Sequence, residues 1–334
     1  MNIMFKIKKI LVPTDFSENA ATAYNVAHKI ATRFKAKIDF IHVVQTMDYY
    51  HKSIAKLSVP LKTDEDLYPQ LKQQASHKVK KLMDDYLKPA NKGDDIVHIA
   101  SNPSQAIAKH AEQGEYDLVV MATLGEHESN FLIGSVAQKV IRYSTIPVLS
   151  TGISNLDTIE NILVPTDGSQ VSLKALPLAI SVALTFNATI TLFHVMHLQG
   201  TALEIAQLSP FKSGAENIRD TIYKEVEKFF TYSWDQLELR RGYEFESQFV
   251  VYHEGVSSAT INVNTVVERA VSAHAAITEY AGDHADMVIM TTHGRSGLSH
   301  LFLGSTAEKI VRHVKLPLIT VKPEFDTIHN KPKS

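Results

Sequence analysis

The chain has 334 residues, of which 44% are hydrophobic, 34 are Lys or Arg and 36 are Asp or Glu. This length allows two domains, and the formal net charge of -2 lacks the basic excess that is usual in nucleic-acid-binding proteins. The absence of cysteine excludes disulfides, thiol catalysis and thiolate metal sites. Residues 1–10 are too lysine-rich for a signal peptide, and no apolar run approaches the roughly 18 residues of a membrane span. We therefore expect a cytoplasmic protein that binds neither nucleic acid nor membrane.

Internal repetition is the strongest feature of the sequence. The motif KILVPTD, which ends at Asp15, recurs 152 residues later as NILVPTD, which ends at Asp167. Four further segments recur in the same order, namely 41–44 with 193–196, 117–121 with 286–290, 134–135 with 304–305, and 146–149 with 316–319. The repeat is too long for a solenoid. It predicts a duplicated domain, with copies at residues 1–152 and 153–325 and a linker near 152–157.

Each copy is predicted to alternate five strands with four helices. In the first copy, short apolar segments predict strands at 10–12 and 38–44, and a polar periodic stretch predicts a helix at 70–87. The continuous apolar run at 118–122 is typical of a strand that is buried on both faces of a parallel sheet. Apolar residues at helical spacing predict the helix after strand one: Ala20, Tyr24, Ala27, Ala31 and Phe34. The pattern indicates a doubly wound α/β sheet with five parallel strands in each copy.

The second copy repeats this pattern, with strands predicted at 189–196 and 287–291 and a helix at 215–240. Pro177 is expected to bend the first helix of this copy or to delay its start. The second copy is also longer by about 18 residues, most of which we place at 243–264. The weak alternation there predicts an added hairpin, with an ordinary surface loop as the alternative.

A candidate ligand site lies where the strands of the second copy end, since open parallel sheets bind ligands at the carboxyl ends of their strands. The segment Pro165-Thr166-Asp167 leaves strand one, and the loop 291–306 leaves strand four. Ser305 and Glu308 have the spacing of a capping box at the start of a helix, where free N–H groups suit a phosphate. Asp167 would accept hydrogen bonds from ribose hydroxyls, and Val195 would pack against a base. The alternative is a structural turn, because a capping box needs no ligand.

This loop is similar to the pattern G-x2-G-x9-G-[ST] of universal stress proteins that bind ATP. Gly294, Gly304 and Ser305 match it, whereas Thr291 replaces the first glycine and would crowd the phosphates. The chain resembles this family over residues 8–321. The resemblance implies two tandem Rossmann-like domains of the adenine nucleotide alpha hydrolase type, with ATP or AMP as ligand, with or without Mg²⁺. The candidate residues in the second copy are Pro165, Thr166, Asp167, Val195, Met290, Thr292, His293, Gly294, Arg295, Gly297, Gly304, Ser305 and Thr306.

The resemblance also implies an arrangement of the two copies. Members of the family commonly dimerise through the last strand, which corresponds to residues 147–150 and 317–320. A tandem chain would satisfy this pairing internally and form an intramolecular pseudo-dimer. Whether two tandem chains then form a homodimer is left open.

The matching loop of the first copy departs further from the pattern. Ala122 replaces the first glycine, and only eight residues separate Gly125 from Gly134. Glu126 and Glu128 occupy the region where the second copy has an arginine, so they would repel a triphosphate. We expect a structurally intact but degenerate site and one bound nucleotide per chain. The candidate residues of this degenerate site are Pro13, Thr14, Asp15, Val43, Gly125, Gly134 and Ser135.

Other chemistry finds little support in the sequence. The 16 histidines include no H-E-x-x-H or H-x-H motif, so we expect no metal site. No Walker A sequence, no nucleophile elbow and no general base with a Mg²⁺-binding carboxylate cluster are evident. The favoured function is a non-catalytic, adenine-nucleotide-binding regulator of the stress response. The alternatives are a slow ATPase or phosphotransfer enzyme, and a scaffold that binds no nucleotide, for which the family resemblance leaves zinc or a lipid as ligand.

Overall fold

The chain divides into two compact units, each of which holds one copy of the repeat. The computed structural model describes residues 5–46, 63–123, 134–152, 156, 158–198, 211–234, 236–242, 248–254, 257–294 and 303–325. The first unit comprises Ile7–Leu156, and the second comprises Met1–Lys6 together with Asp157–Ser334. Within the described ranges, no helix is both long enough and apolar enough to cross a lipid bilayer.

The first unit is an open parallel sheet with its helices between the strands. Its elements are β1 (Lys9–Pro13), α1 (Ala21–Phe34), β2 (Lys37–Gln45), α2 (Thr63–Tyr86), a 3-10 turn (Pro89–Asn91), β3 (Lys92–Ala100), α3 (Pro103–Gln113), β4 (Leu118–Ala122), α4 (Ser135–Tyr143) and β5 (Val148–Thr151). The strand order is β3-β2-β1-β4-β5, and every neighbouring pair is parallel. The order reverses between β1 and β4, which is the point where such sheets open a ligand cleft.

The second unit repeats this sheet and extends it. Its elements are β6 (Asn161–Pro165), α5 (Gln170–Leu173), α6 (Leu176–Phe186), β7 (Thr189–His197), α7 (Phe211–Ser233), β8 (Leu237–Arg241), β9 (Gln248–Glu254), β10 (Ser257–Ala270), α8 (Ala273–His284), β11 (Met287–Thr291), α9 (Ser305–His313) and β12 (Leu318–Val321). The strand order is β12-β11-β6-β7-β10-β9-β8. The first five strands of that order are parallel, and β9 and β8 are added antiparallel.

The α/β fold class that the sequence predicts is confirmed, with five parallel strands in each unit. The extra length of the second copy forms an added antiparallel pair rather than a surface loop, because β9 pairs with the first half of β10. Its second half pairs with β7 and places Val267 opposite His194, as Val97 lies opposite His42 in the first unit. The two copies therefore return to the same register after the insertion.

The helix predicted over residues 215–240 was wrong at its end. Helix α7 stops at Ser233, and the residues after it form β8, which pairs with β9. Leu237 and Leu239 are buried, whereas Glu238 and Arg240 are exposed, which is the alternation of a strand with one covered face. Pro177 acts as expected, since it lies in the first turn of α6, where a missing N–H costs no hydrogen bond.

Two aspartates explain why the segments 117–121 and 286–290 recur in the repeat. The carboxylate of Asp117 accepts hydrogen bonds from the backbone N–H groups of Lys8 and Lys9, at 2.7 and 2.9 Å. In the second unit, Asp286 accepts from Glu160 and Asn161 at 2.8 and 2.9 Å. Each aspartate precedes the fourth parallel strand and ties it to the start of the first. The repeated aspartate therefore has a structural role in both units.

The first long helix of each unit is followed by a residue in the same left-handed backbone conformation. Lys35 has φ 58° after α1, and Asn187 has φ 58° after α6. Their N–H groups donate to the carbonyls of Ala31 and Ala183, respectively. Asparagine and glycine tolerate this conformation better than lysine does.

Replacing Lys35 with glycine is expected to raise the free energy of unfolding of the first unit by about 1 kcal/mol, because the left-handed strain of a side chain is removed. Urea unfolding monitored by circular dichroism measures the change. Lys35→Asn should give a smaller gain in the same direction. A loss of stability in Lys35→Gly would contradict the argument.

Phe5 packs in the second unit. The rings of Phe5 and Phe325 meet edge to face with centroids 5.1 Å apart. The Ser181 hydroxyl donates to the backbone carbonyl of Phe5 at 2.5 Å, and all three residues are buried. These contacts place Phe5 with the second unit, although in the sequence Phe5 directly precedes the first copy of the repeat.

Strand β2 of the first unit carries a buried carboxylate, Asp39. Asp39 is 2% exposed and accepts hydrogen bonds from the Tyr116 hydroxyl at 2.6 Å and from the N–H of Asp94 at 2.7 Å. The ammonium of Lys9 lies 3.5 Å from the same carboxylate. Burial, and then the hydrogen bond to Asp39, raise the pKa of Tyr116 far above its ordinary value, so the phenol stays a donor. The second unit has Thr191 at the position of Asp39.

Candidate functional site

A cleft of about 320 Å³ opens at the carboxyl ends of β6 and β11, where the strand order of the second unit reverses. Most of the residues predicted for the second copy line it: Pro165, Thr166, Asp167, Val195, Met290, Thr292, His293, Gly294, Gly304, Ser305 and Thr306. Arg295 and Gly297 lie outside the described residues. The structure thus brings the two predicted segments together around one cavity.

Sequence reasoning missed other residues of the cleft wall: Ser172, Phe193, His194, His197, Ala273, Ile277, Ala307 and Ile310. Ala273 and Ile277 are spaced by four residues on α8 and share one face of that helix. This spacing was the available signal, but it does not say which sheet edge the helix covers. No sequence pattern indicated Ser172, which lines the cleft from the short helix α5 before α6.

The turn after β6 is held by its own side chains. The hydroxyl of Thr166 accepts from the N–H of Gly168 at 3.0 Å and is hydrogen-bonded to the hydroxyl of Ser172 at 2.8 Å. Asp167 Oδ1 accepts from the N–H and the hydroxyl of Ser169, at 3.0 and 2.5 Å. The turn therefore occupies one carboxylate oxygen of Asp167 and fixes the direction of the other.

The second oxygen of Asp167 lies against the loop that follows β11. A Cβ added to Gly294 would lie only 2.6 Å from Asp167 Oδ2. A side chain at this position would force the carboxylate or the loop to move, so glycine allows the close approach of the two loops. Asp167 and Gly294 therefore form one continuous wall of the cleft.

A histidine supports the same wall from β7. His194 Nδ1 lies 2.9 Å from the carbonyl oxygen of Thr166. Because a carbonyl only accepts, Nδ1 carries the proton, and Nε2 is left as an acceptor in the neutral ring. The ring thereby fixes the backbone at the end of β6.

The loop after β11 is closed by a hydroxyl where the family pattern has glycine. Thr291 Oγ1 donates to the carbonyl of His293 at 2.6 Å, and the side chain is 5% exposed. The hydroxyl of Thr292 is hydrogen-bonded to His293 Nδ1 at 2.9 Å, and Gly304 N donates to the carbonyl of Thr292 at 2.9 Å. The Thr291 hydroxyl is thus engaged by the backbone of its own turn.

The capping box predicted at the start of α9 was wrong. Gly304, with φ -58° and ψ 146°, is the N-cap, and no side chain caps the helix. Ser305 is therefore the first helical residue, and the Glu308 carboxylate pairs instead with Arg312 at 2.7 Å. The first unit is built in the same way: Gly134, with φ -58° and ψ 147°, is the N-cap of α4, and Ser135 is its first helical residue.

This helix start is suited to an anion. The N-cap Gly304 provides no side-chain hydrogen bond to the first-turn N–H groups of α9, and the positive end of the helix dipole faces the cleft. Ser305 and Thr306 are exposed there, and both have hydroxyls. Loss of the capping box therefore strengthens the prediction of an anion-binding helix end.

The first unit has a cleft of about 390 Å³ at the equivalent place. It is lined by all the described residues predicted for that copy, namely Pro13, Thr14, Asp15, Val43, Gly134 and Ser135. Gly125, Glu126 and Glu128 lie outside the described residues. The turn after β1 is held in the same way as the turn after β6, because Asp15 accepts from Ser17, and His42 Nδ1 donates to the carbonyl of Thr14 at 2.8 Å. Burial lowers the pKa of His42, which keeps its ring neutral near pH 7.

The linings of the two clefts agree at most corresponding positions. Eleven pairs of lining residues are identical in type: Pro13 and Pro165, Thr14 and Thr166, Asp15 and Asp167, His42 and His194, Val43 and Val195, Ile107 and Ile277, Met121 and Met290, Thr123 and Thr292, Gly134 and Gly304, Ser135 and Ser305, Ala137 and Ala307. Three hydroxyl-bearing residues of the second cleft are replaced in the first: Ser172 by Ala20, Thr291 by Ala122, and Thr306 by Val136. Val136 is 39% exposed at the start of α4.

Metal-binding geometry is not evident in the described part of the chain, where no three His, Asp or Glu side chains converge in a way that could hold a metal ion. His194, His197 and His293 all line the second cleft without forming such a group.

Two doubly wound sheets, each with a cleft at its switch point, define a tandem α/β protein. The model of the universal stress protein family matches residues 6–151 and 158–322, so the chain belongs to this family. It is 24% identical over 331 residues to a universal stress protein of Synechocystis sp., covering 95% of this chain and 100% of that one. It is 30% identical over 158 residues to one of Methanocaldococcus jannaschii, covering 45% of this chain and 96% of that one.

A solved structure has the same fold over nearly the whole chain. The crystal structure of a universal stress protein from Archaeoglobus fulgidus aligns with a TM-score of 0.59 at 18% identity. The alignment covers 96% of this chain and 98% of that one.

Proposed function

We propose that the second unit binds an adenine nucleotide, ATP or AMP with or without Mg²⁺, and that the protein is a non-catalytic, nucleotide-binding regulator of the stress response. The observation that carries the proposal is the start of α9, where Gly304 caps the helix without a side chain and two hydroxyl residues stand exposed in the cleft. A helix end of this kind binds phosphate through its N–H groups and its dipole.

The rest of the cleft fits the remainder of a nucleotide. Asp167 has one oxygen fixed by Ser169, so its carboxylate is preorganised to accept hydrogen bonds from ribose hydroxyls. Val195 and Met290 line the same cavity and supply apolar contacts for a base. A cavity of about 320 Å³ that is lined by apolar side chains and a few convergent polar groups is typical of small-molecule sites.

The first unit keeps the cleft but offers less to a phosphate. At the second helical position of α4 it has Val136, where α9 has Thr306. We therefore propose one nucleotide per chain, in the second unit.

A negative charge placed at the start of α9 or of α4 tests which of the two units binds ATP. Thr306→Glu is expected to weaken ATP binding at least about tenfold, because the carboxylate would lie beside the phosphates. Val136→Glu puts the same charge at the same position of the first unit. We expect Val136→Glu protein still to bind one ATP per chain by isothermal titration calorimetry.

Several outcomes would contradict this proposal. Two ATP molecules per chain in the unmodified protein, or equal losses in both variants, would remove the assignment to the second unit. No ATP or AMP binding by the folded protein would remove nucleotide binding itself. If the unmodified protein hydrolysed Mg-ATP and Thr306→Glu abolished this activity, the protein would be an enzyme rather than a non-catalytic regulator. The cytoplasmic location and the pairing of the two copies through their last strands remain predictions.

A further inference from the structure

We propose that two histidines of the first unit, His98 on β3 and His110 on α3, form an acid-sensitive contact that holds the helix against the strand. Near neutral pH the two rings share a hydrogen bond, and when both rings are protonated the contact breaks and α3 loosens. This histidine pair is separate from the described residues that line the two clefts, and the proposal does not depend on nucleotide binding.

The contact joins two consecutive elements of the first unit. His98 Nε2 lies 3.1 Å from His110 Nδ1, and the rings meet edge to face with centroids 4.9 Å apart. Strand β3 is the end strand in the order β3-β2-β1-β4-β5, so the contact with α3 adds to its pairing with β2. Both histidines are half-buried, so their hydrogen bond is partly shielded from water while protons still reach the rings.

A chain of hydrogen bonds fixes which nitrogen of His110 carries the proton. The Tyr116 hydroxyl donates to the buried carboxylate of Asp39 at 2.6 Å, and His110 Nε2 lies 3.4 Å from the same hydroxyl. Because the only proton of the phenol points to Asp39, His110 Nε2 must donate to the phenol oxygen. In the neutral ring, His110 Nδ1 is then an acceptor, and His98 Nε2 donates to it.

Two facing ring nitrogens accommodate one proton between them. A first added proton keeps the contact, because a charged imidazole still donates to a neutral one. A second added proton leaves two N–H groups that point at each other and two positive rings whose centroids are 4.9 Å apart. The rings must then separate, which removes the hydrogen bond between α3 and β3.

Charged groups face the pair from three other elements. Burial lowers the pKa of His98, and the ammonium of Lys72 on α2 lowers it further. Burial also lowers the pKa of His110 most, and the positive charges of His98 and of Lys9 on β1 act in the same direction. The carboxylate of Asp39 on β2 opposes them and raises the pKa of His110. The folded pair therefore stays neutral near pH 7 and takes up protons only below the ordinary histidine range.

Acid therefore destabilises this contact. The unfolded chain binds protons at both histidines near the ordinary pKa of 6.5, whereas the folded pair binds them only at a lower pKa. The contribution of the contact to stability is fully present above pH 6.5. It is lost progressively as the pH falls from there through the lower pKa of the folded pair.

The second unit provides an internal comparison, because it keeps none of these side chains. The strand registers and the cleft linings equate the positions in the two units. The corresponding residues are Lys9 and Asn161, Asp39 and Thr191, His98 and Glu268, His110 and Tyr280, and Tyr116 and Ala285. The linings of the clefts agree at most positions, whereas this network differs at every position. The network is thus a specific feature of the first unit.

Helix α3 also reaches the first cleft. Pro103 and Ile107 line that cleft, and Ile107 lies one turn before His110 on the same face of the helix. Loosening of α3 in acid therefore moves part of the cleft wall. The histidine pair makes the first unit, and not the second, responsive to acidification through this contact.

Hydrogen–deuterium exchange of the full-length protein, followed by mass spectrometry at about pH 7.5 and about pH 5, tests the proposal. Rates are corrected for the intrinsic pH dependence of amide exchange. At the lower pH, residues 103–113 of α3 should lose at least about tenfold more protection than residues 273–284 of α8. His98→Gln keeps an N–H donor for His110 but cannot become charged. In this variant the acid response of α3 should disappear, while its protection at neutral pH is kept.

Two further variants complete the test. His110→Phe keeps a ring in the same place without a titrating nitrogen, so the exchange of α3 should no longer differ between the two pH values. His284 is an exposed histidine in the last turn of α8, so His284→Gln should leave the acid response of α3 unchanged. Far-ultraviolet circular dichroism establishes that each variant is folded.

Three results would overturn the inference. They are equal losses of protection in α3 and α8 of the unmodified protein, an acid response of α3 that persists in folded His98→Gln and His110→Phe proteins, and loss of that response in His284→Gln. The proposed function fails separately, through the absence of nucleotide binding, and that result would leave these exchange measurements unaffected.

Discussion

Replacing Gly93 with alanine should lower the free energy of unfolding of the first unit by about 3 kcal/mol. A Cβ there would lie 1.8 Å from Asp39 Oδ1 and 2.9 Å from the carbonyl oxygen of Ile38. The carboxylate cannot simply turn away, because it is buried and bonded to Tyr116 and to the N–H of Asp94. The strand must therefore shift, or the buried charge must lose partners. Urea unfolding of the full-length protein measures the effect.

The chain provides a matched glycine as control. A Cβ added to Gly282, within α8, would meet nothing within 4 Å. Gly282→Ala should therefore raise the free energy of unfolding of the second unit by about 1 kcal/mol, through helix propensity alone. In an Asp39→Ala background, Gly93→Ala should cost less, since its closest contact is gone. A Gly93→Ala protein that unfolds at the same urea concentration as the unmodified one would refute the packing argument.

Replacing Gly294 with alanine should weaken ATP binding at least about tenfold, while the fold of the second unit is kept. The added methyl would lie 2.6 Å from Asp167 Oδ2, so either the carboxylate or the loop after β11 must move. The carboxylate is also held by Ser169, which resists that movement. Titration calorimetry gives the affinity, and thermal melting without ligand separates it from instability.

Gly304→Ala offers a graded comparison in the same cleft. Its Cβ would lie 3.3 Å from the carbonyl oxygen of Thr292, so a shift of a few tenths of an ångström is enough. We expect its loss of ATP affinity to be smaller than that of Gly294→Ala. The reverse order, or unchanged affinity in Gly294→Ala, would mean that the Asp167 carboxylate does not contact the ligand.

Much of the fold could be predicted because the same pattern of strands and helices occurs in both copies of the repeat. The apolar runs Leu118–Ala122 and Met287–Thr291 are strands with the bounds that the sequence predicts, since both faces of each are covered. The end of α7 could not be predicted in the same way. Only Leu237 and Leu239 carry the alternation of β8, and that is too short a pattern to distinguish a strand from the last turn of a helix.

The candidate site was predictable in position but not in detail. Motif spacing placed Asp167 and Gly304 at one cleft, because parallel strands end at the same edge. Spacing alone could not show that Gly304, rather than Ser305, caps α9, since that depends on the extended backbone of the glycine. Nor could it show that Asp39 is buried, because its partner Tyr116 lies 77 residues away.

The contact between Phe5 and Phe325 has a consequence for how the chain is made. The two rings belong to the same unit but are 320 positions apart in the chain. At a synthesis rate of about 5–20 residues per second, Phe5 emerges from the ribosome on the order of 20–60 s before its partner exists. The first unit can fold during that time, but the second cannot bury Phe5 until translation of the repeat is over. The opening residues of the polypeptide are thus among the last to find their native place.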